Sequence, residues 1–228
     1  MKAESGNIAR LQKITELRQL LAQKFPQQSK SRNGDAFPTG IASIDEQTRG
    51  GLPKGAVIEI TGSLGGSSLF LSALLQAAAR SRSFLGLVDG SASFDPQAVA
   101  RKHLRRLLWM VCRNADHAIK AADLLLHDGN LPLVVLDLQL NPPTQLRKIP
   151  ASTWFRFQQA VENKAVAFVV ITPQPMVSSA AMRIIFPKPW TLPSLQRRRE
   201  HLLDELEIKV VERGIGFSTP DGEQLKTA

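Results

Sequence analysis

The segment Gly62-Ser63-Leu64-Gly65-Gly66-Ser67-Ser68-Leu69 has the composition of a phosphate-binding turn that lacks its cation. A loop of the GxxxxGK[ST] type works through three contributions: backbone N–H groups curled around phosphate, a lysine on the outer phosphates, and a hydroxyl on magnesium. Only the first can survive here. Aligned on Gly66, Ser67 takes the lysine position and Ser68 the hydroxyl position, with the loop one residue short. Aligned on Gly62 without a gap, Ser68 falls at the lysine and Leu69 at the hydroxyl. Either way the lysine is lost, and with it a charge-assisted hydrogen bond of roughly 1.5–3 kcal/mol that matters most when charge develops during phosphoryl transfer. An apolar run, Leu133-Val134-Val135-Leu136-Asp137-Leu138, has the form of a Walker B strand and puts Asp137 where ligands gather in open α/β sheets. Gly62, Gly65, Gly66, Ser67, Ser68 and Asp137 are therefore the candidate residues of a vestigial nucleotide site. They are compatible with weak ATP binding or with a plain strand-to-helix turn, and no cofactor is required.

A second kind of chemistry is electrostatic. The chain of 228 residues carries a formal charge of +9 and a pI near 10.1, the balance of proteins that meet nucleic acid or an acidic protein surface. The excess concentrates at Arg101, Lys102, Arg105 and Arg106, and at Arg197, Arg198 and Arg199. Each cluster reads either as a contact for DNA or a protein partner, or as a solvated face. Tyrosine is absent and aromatics make up 6% of residues, which argues against reading single strands by base stacking. A single cysteine, Cys112, excludes a disulfide framework and fits a reducing cytoplasm. His103, His117, His127 and His201 have no metal-ligand spacing, so no metal site is expected. Charges interrupt every apolar stretch of the N-terminal segment, so neither a signal peptide nor a membrane span is expected.

These residues must be positioned by alternating elements. Strands are predicted near 56 to 61, 84 to 89, 107 to 112, 132 to 138 and 165 to 171, and helices near 68 to 80, 95 to 104, 114 to 128 and 151 to 163. Such alternation makes a mostly parallel sheet covered by helices on both faces. Glu205 to Arg213 alternates apolar and charged residues as a half-exposed antiparallel edge strand does. Ahead of the core, residues 1 to 34 form an amphipathic helix and a polar tether, with Leu11, Ile14, Leu17 and Leu21 on the apolar stripe. That stripe must be buried, either on its own core or by docking on another chain, which includes self-association. The organisation is thus an arm over 1–34, an α/β core over 35–213, and a tail over 214–228.

Thr39-Gly40 followed by a short helical stretch, then Gly50-Gly51-Leu52-Pro53-Lys54-Gly55 feeding the strand Ala56-Val57-Ile58-Glu59-Ile60, resembles the entry to a RecA-type core. Phe84 to Pro96 resembles the second core strand of RecA and its following loop. Matching Asp89 and Asp95-Pro96 without gaps puts Ser91 at the position of the catalytic glutamate, whose loss removes a factor of about 10²–10⁴ in rate. Within the superfamily the chain is most similar to the ImuA-type accessory proteins of translesion DNA synthesis. That resemblance implies a cytoplasmic, non-catalytic adaptor in the SOS response to DNA damage, a pseudo-ATPase with a degenerate P-loop. Its partners would be translesion polymerase subunits and, less directly, RecA and DNA. Two other readings stay open: a divergent DNA-dependent ATPase whose lysine comes from Lys54 or another subunit, and a regulator of a RecA filament.

The arginine triplet generates a direct test. Reversing Arg197, Arg198 and Arg199 to glutamate is expected to weaken DNA binding and to flatten its salt dependence, by about 0.9 in log–log slope for each phosphate no longer neutralised. Titrations at several salt concentrations check this. An unchanged slope removes the DNA contact, and loss of partner binding with an unchanged slope assigns the triplet to an acidic protein surface.

Overall fold

A computed structural model describes residues 36–62, 64–162, 164–187, 202–203 and 207–212. The arm residues Leu11, Ile14, Leu17 and Leu21 and the triplet Arg197, Arg198 and Arg199 lie outside the described residues. Strands β1 (Ala36–Phe37) and β2 (Leu52–Pro53) form a small antiparallel pair. Between them, helix α1 (Ala42–Gln47) is anchored by Asp45. Its carboxylate accepts from the Thr39 backbone N at 2.9 Å, the Thr39 hydroxyl at 2.7 Å and the Gly40 N at 3.0 Å. The Thr-Gly pair is thereby fixed before the turn. Gly51 sits at φ +123, and a Cβ there would lie 2.2 Å from the Phe37 carbonyl oxygen, so only glycine lets the two short strands close.

The main sheet has seven strands in the order β5-β4-β6-β7-β3-β8-β9. They are β3 (Ala56–Gly62), β4 (Leu85–Asp89), β5 (Leu107–Val111), β6 (Leu133–Asp137), β7 (Ala167–Thr172), β8 (Met182–Phe186) and β9 (Lys209–Glu212). All neighbours are parallel except β8 and β9. This is the expected α/β architecture, and β9 is the antiparallel edge that the alternation of 205 to 213 predicts. β8 was not expected.

Buried β3, β4, β6 and β7 are almost wholly apolar because both faces of the sheet are covered. On one face α2 (Leu64–Arg80) and α1 pack Phe70, Leu74 and Ile44 against Ile58, Ile60, Val135 and Phe186. On the other, α4 (Ala115–Asp128) and α6 (Ala151–Val161) pack Ile119, Leu125, Trp154 and Phe157 against Val57, Val134 and Phe168. Helix α4 follows its sequence closely: the Asn114 side chain accepts from the His117 N at 2.9 Å, and Ala115, Ala118, Ile119, Ala122, Leu125 and Leu126 are buried as the spacing predicts. Two short pieces, α3 (Arg101–Leu104) and α5 (Pro143–Leu146), complete the connections.

Two predicted boundaries need correction. The helix expected over 95 to 104 is split into a 3-10 turn over Pro96–Ala98 and α3, because Val99 and Ala100 are extended. Helix α2 begins at Leu64 rather than Ser68, so Gly65 and Gly66 lie in its first turn. The cause is a tertiary contact. A Cβ on Gly66 would lie 2.6 Å from Cγ of Phe186, and one on Gly62, at φ +118, would lie 2.2 Å from the Phe186 carbonyl oxygen. Both glycines are used to bring β3 and α2 against β8.

Gly62→Ala is therefore expected to destabilise the fold by about 3 kcal/mol through backbone strain and overlap, a fall of roughly 6–12 °C in Tm for a chain of this size. Thermal unfolding without added nucleotide measures it. A variant melting within about 1 °C of the parent would show that the glycine is not held by Phe186.

Candidate functional site

The carboxyl ends of β3, β4 and β6 open on a cleft of about 270 Å³. Ser67 and Ser68 reach it from the first turns of α2, Asp137 from the end of β6, Gln139 and Leu140 from the residues after it, and Ser93 to Asp95 from the loop after β4. The sequence-predicted residues Ser67, Ser68 and Asp137 are thus brought together. Gly62 joins them through its carbonyl, whereas Gly65 and Gly66 do not line the cleft and Gly66 backs onto Phe186. Gln139 ties the group: its backbone N donates to Asp137 Oδ1 at 2.9 Å, its Nε2 donates to the Gly62 carbonyl at 3.3 Å, and its Oε1 accepts from the buried Ser67 hydroxyl at 3.5 Å. Sequence reasoning missed Gln139. A polar residue two places past an aspartate-ended strand was the available signal.

Asp89 and Asp137 stand side by side in register on β4 and β6, yet their environments differ. Asp89 is fully buried and saturated: Oδ1 accepts from the backbone N of Ser91 and Ser93 and from the Ser93 hydroxyl, at 3.0–3.4 Å, and Oδ2 accepts from the Phe94 N at 3.0 Å and Trp109 Nε1 at 3.3 Å. It caps the loop that carries Ser91. Phe94 in turn meets Trp109 edge-on, with centroids 5.3 Å apart. Among the described residues Asp137 instead accepts from the Gln139 backbone N.

Among the described residues, the lining of the cleft contains Asp95 and Asp137 and no lysine or arginine. Lys54 does not supply one. It precedes β3 whereas the cleft follows it, and a strand of seven residues separates the two by about 20 Å. Arg101 and Lys102 are exposed on α3, on the connection from the cleft to β5, and are not among the residues that line the cleft. Gln174, in the Pro173-Gln174-Pro175 turn, faces a different groove, shared with Leu146, Arg147, Trp154 and Met176.

No family model matches the chain. Over 109 residues it is 35% identical to Protein RecA of Acinetobacter baumannii strain AYE, covering 45% of this chain and 31% of that protein. Over 107 residues it is 33% identical to Protein RecA of Frankia alni, with 45% and 31% covered. The DNA repair protein recA homolog 1, chloroplastic, of Arabidopsis thaliana is 32% identical over 107 residues, with 45% and 24% covered. The chain carries a RecA-like core. It spans at most about a third of the length of these curated relatives. Among the described residues no helix is long and apolar enough to cross a membrane.

In this RecA-like core, burial pushes the Asp137 carboxyl up to about 6, the Gln139 N–H opposes the shift, and the negative charge of Asp89 adds to it. The folded state then holds this proton more tightly than the unfolded chain does. Stability from this group is present below about pH 4 and is lost as the pH rises through 6, a loss on the order of 2 kcal/mol after allowing for the partial exposure of the cleft. Asp137→Asn is expected to stabilise the protein by that amount at pH 7 and to leave it nearly unchanged at pH 4. Urea unfolding at both pH values checks the sign. Equal effects at the two would mean that Asp137 is not protonated on folding.

Proposed function

We propose that this chain is a non-catalytic RecA-like adaptor of the DNA damage response. It assists error-prone translesion DNA synthesis in the manner of ImuA-type proteins, through contacts with polymerase partners and DNA. The observation that carries the reading is the charge of the cleft. A nucleoside triphosphate brings several negative charges and needs cations aimed at it before charge can develop in the transition state, but the lining offers two carboxylates and three serines from α2. The residues do not suit the nucleotide.

Backbone geometry supports the same reading. With α2 starting at Leu64, a single residue, Ser63, separates β3 from the helix, so little chain remains to curl around a phosphate. Ser67, at the lysine position of one alignment, is buried and directed at Gln139 rather than reaching outward. Ser91, at the position of the glutamate base, belongs to a loop held shut by Asp89. The relatives named RecA and the chloroplast homologue named for DNA repair support the damage response as the setting. A cytoplasmic location is part of the same proposal.

Purified protein is expected to turn over ATP far below about 1 s⁻¹, the lower end of ordinary enzymes, with or without single-stranded DNA, and Asp137→Ala is expected to leave the background unchanged. A DNA-stimulated rate at or above that level which vanished in Asp137→Ala would establish the divergent ATPase instead. Co-purification with translesion polymerase subunits tests the adaptor half of the proposal.

A further inference from the structure

A group of cations gathers toward the opposite end of the sheet. Helix α2 runs back from the carboxyl ends and finishes at Arg80, and the chain turns through Arg82 into β4. Beside it, α3 carries Arg101 and Lys102, and Arg105 and Arg106 lead into β5. The two segments are joined directly: the Leu85 N donates to the Arg106 carbonyl at 2.9 Å, and Arg106 Nη1 donates to the Arg82 carbonyl at 2.7 Å. Burial, and after it the nearby charges of Lys102 and Arg80, hold the His103 imidazole below the usual histidine range. Arg80, Arg82, Arg101, Lys102 and Arg105 are exposed, and among the described residues none of them forms an ion pair.

Six cations from two stretches of chain, none of them ion-paired among the described residues, give a concentration of positive charge that an anionic partner would satisfy. Five of the six are arginines, whose planar forks suit phosphate oxygens. Arg106 is set in place, its guanidinium 5.1 Å above the Phe84 ring and hydrogen-bonded to Arg82. Arg82 holds φ +55, a left-handed conformation in which glycine or asparagine would be less strained than arginine. The ring of Phe84 is half-buried and covered by Arg106, so the patch has no free aromatic platform on which an unpaired base could stack. Its chemistry is that of backbone contact.

We propose that Arg80, Arg82, Arg101, Lys102, Arg105 and Arg106 form a site for the phosphodiester backbone of duplex nucleic acid, bound without regard to sequence. This rests on the reading of the chain as a protein that acts at DNA, and it centres the contact on the segments that enter β4 and β5.

The test uses the full chain and a fluorescein-labelled DNA duplex of about 30 base pairs, with anisotropy titrations between roughly 50 and 200 mM salt. The double variant Arg82→Gln/Arg105→Gln is expected to bind at least 10-fold more weakly at the lowest salt, with a slope shallower by about 2. Arg101→Gln/Lys102→Gln, which leaves the turn before β4 untouched, is expected to do the same, so a folding defect in one pair does not hide the result. Two duplexes of unrelated sequence should bind alike. Affinity and slope unchanged in both pairs overturn the proposal, as does an equal loss in Arg147→Gln/Lys148→Gln on the exposed chain after α5, which would reduce the effect to net charge. A loss confined to poly-glutamate binding, with duplex binding intact, would assign the patch to an acidic protein. These outcomes are read independently of ATP turnover, so the patch can fail while the adaptor reading stands.

Discussion

A single buried carboxylate holds the two halves of this sheet together. Glu59 lies in the middle of β3 with no exposed surface. One oxygen accepts from the Thr172 hydroxyl at 3.0 Å and from the backbone N of Met176 and Val177 at 2.6 and 3.0 Å. The other accepts from Arg183, through Nε and Nη2, both at 2.7 Å. It therefore ties β3 to the end of β7, to the loop beyond it, and to β8. An unpaired carboxylate in this position would be untenable, and removing one partner of such a pair costs roughly 3–5 kcal/mol. The pair is better understood as fixing arrangement than as adding net stability, since the desolvation of both charges offsets most of their attraction.

That arrangement reaches the candidate site through β8. With Arg183 drawn to Glu59, Ile184 and Phe186 are directed into the opposite face of the sheet, where Phe186 meets Phe70 with centroids 6.0 Å apart. The same residue presses on Gly62 and Gly66. The glycines that a phosphate-binding loop would use for close backbone approach to its ligand are here occupied by approach to a phenylalanine. The turn between β3 and α2 is thus shaped by core packing against β8.

Much of this was legible in the sequence, for reasons that differ by element. The stripe of α4 and its Asn114 cap act locally, and the alternation of β9 reflects an edge strand with one covered face, so both could be read from spacing. Phe84 to Asp89 and Leu133 to Asp137 are continuous apolar runs bounded by polar turns, and they became strands as expected. β8 escaped because Met182-Arg183-Ile184-Ile185-Phe186 carries a charge in a segment that is otherwise apolar. That charge makes sense only with Glu59, 124 positions earlier. The start of α2 escaped for a related reason: two glycines and three serines argue locally for a turn, and a contact with Phe186 overrides them. In the site, Asp137 was found by its place at a strand end, whereas Gln139 acts through three long-range or backbone bonds that no motif announces.

The distribution of charge along the strand axis follows from these same features. At the carboxyl ends, where a parallel sheet ordinarily gathers its ligand, the missing lysine leaves Asp95 and Asp137 facing the cleft, and Asp89 raises the cost of ionising Asp137. At the amino ends, the segments that enter β4 and β5 carry Arg80, Arg82, Arg105 and Arg106 on short turns anchored to the sheet backbone. The acidic side chains described in the cleft and the basic segments that enter β4 and β5 thus lie toward opposite ends of the strands. A duplex held at the amino ends would leave the carboxyl ends, and the loops after β6 and β7 that Glu59 and Gln139 immobilise, free for protein contacts.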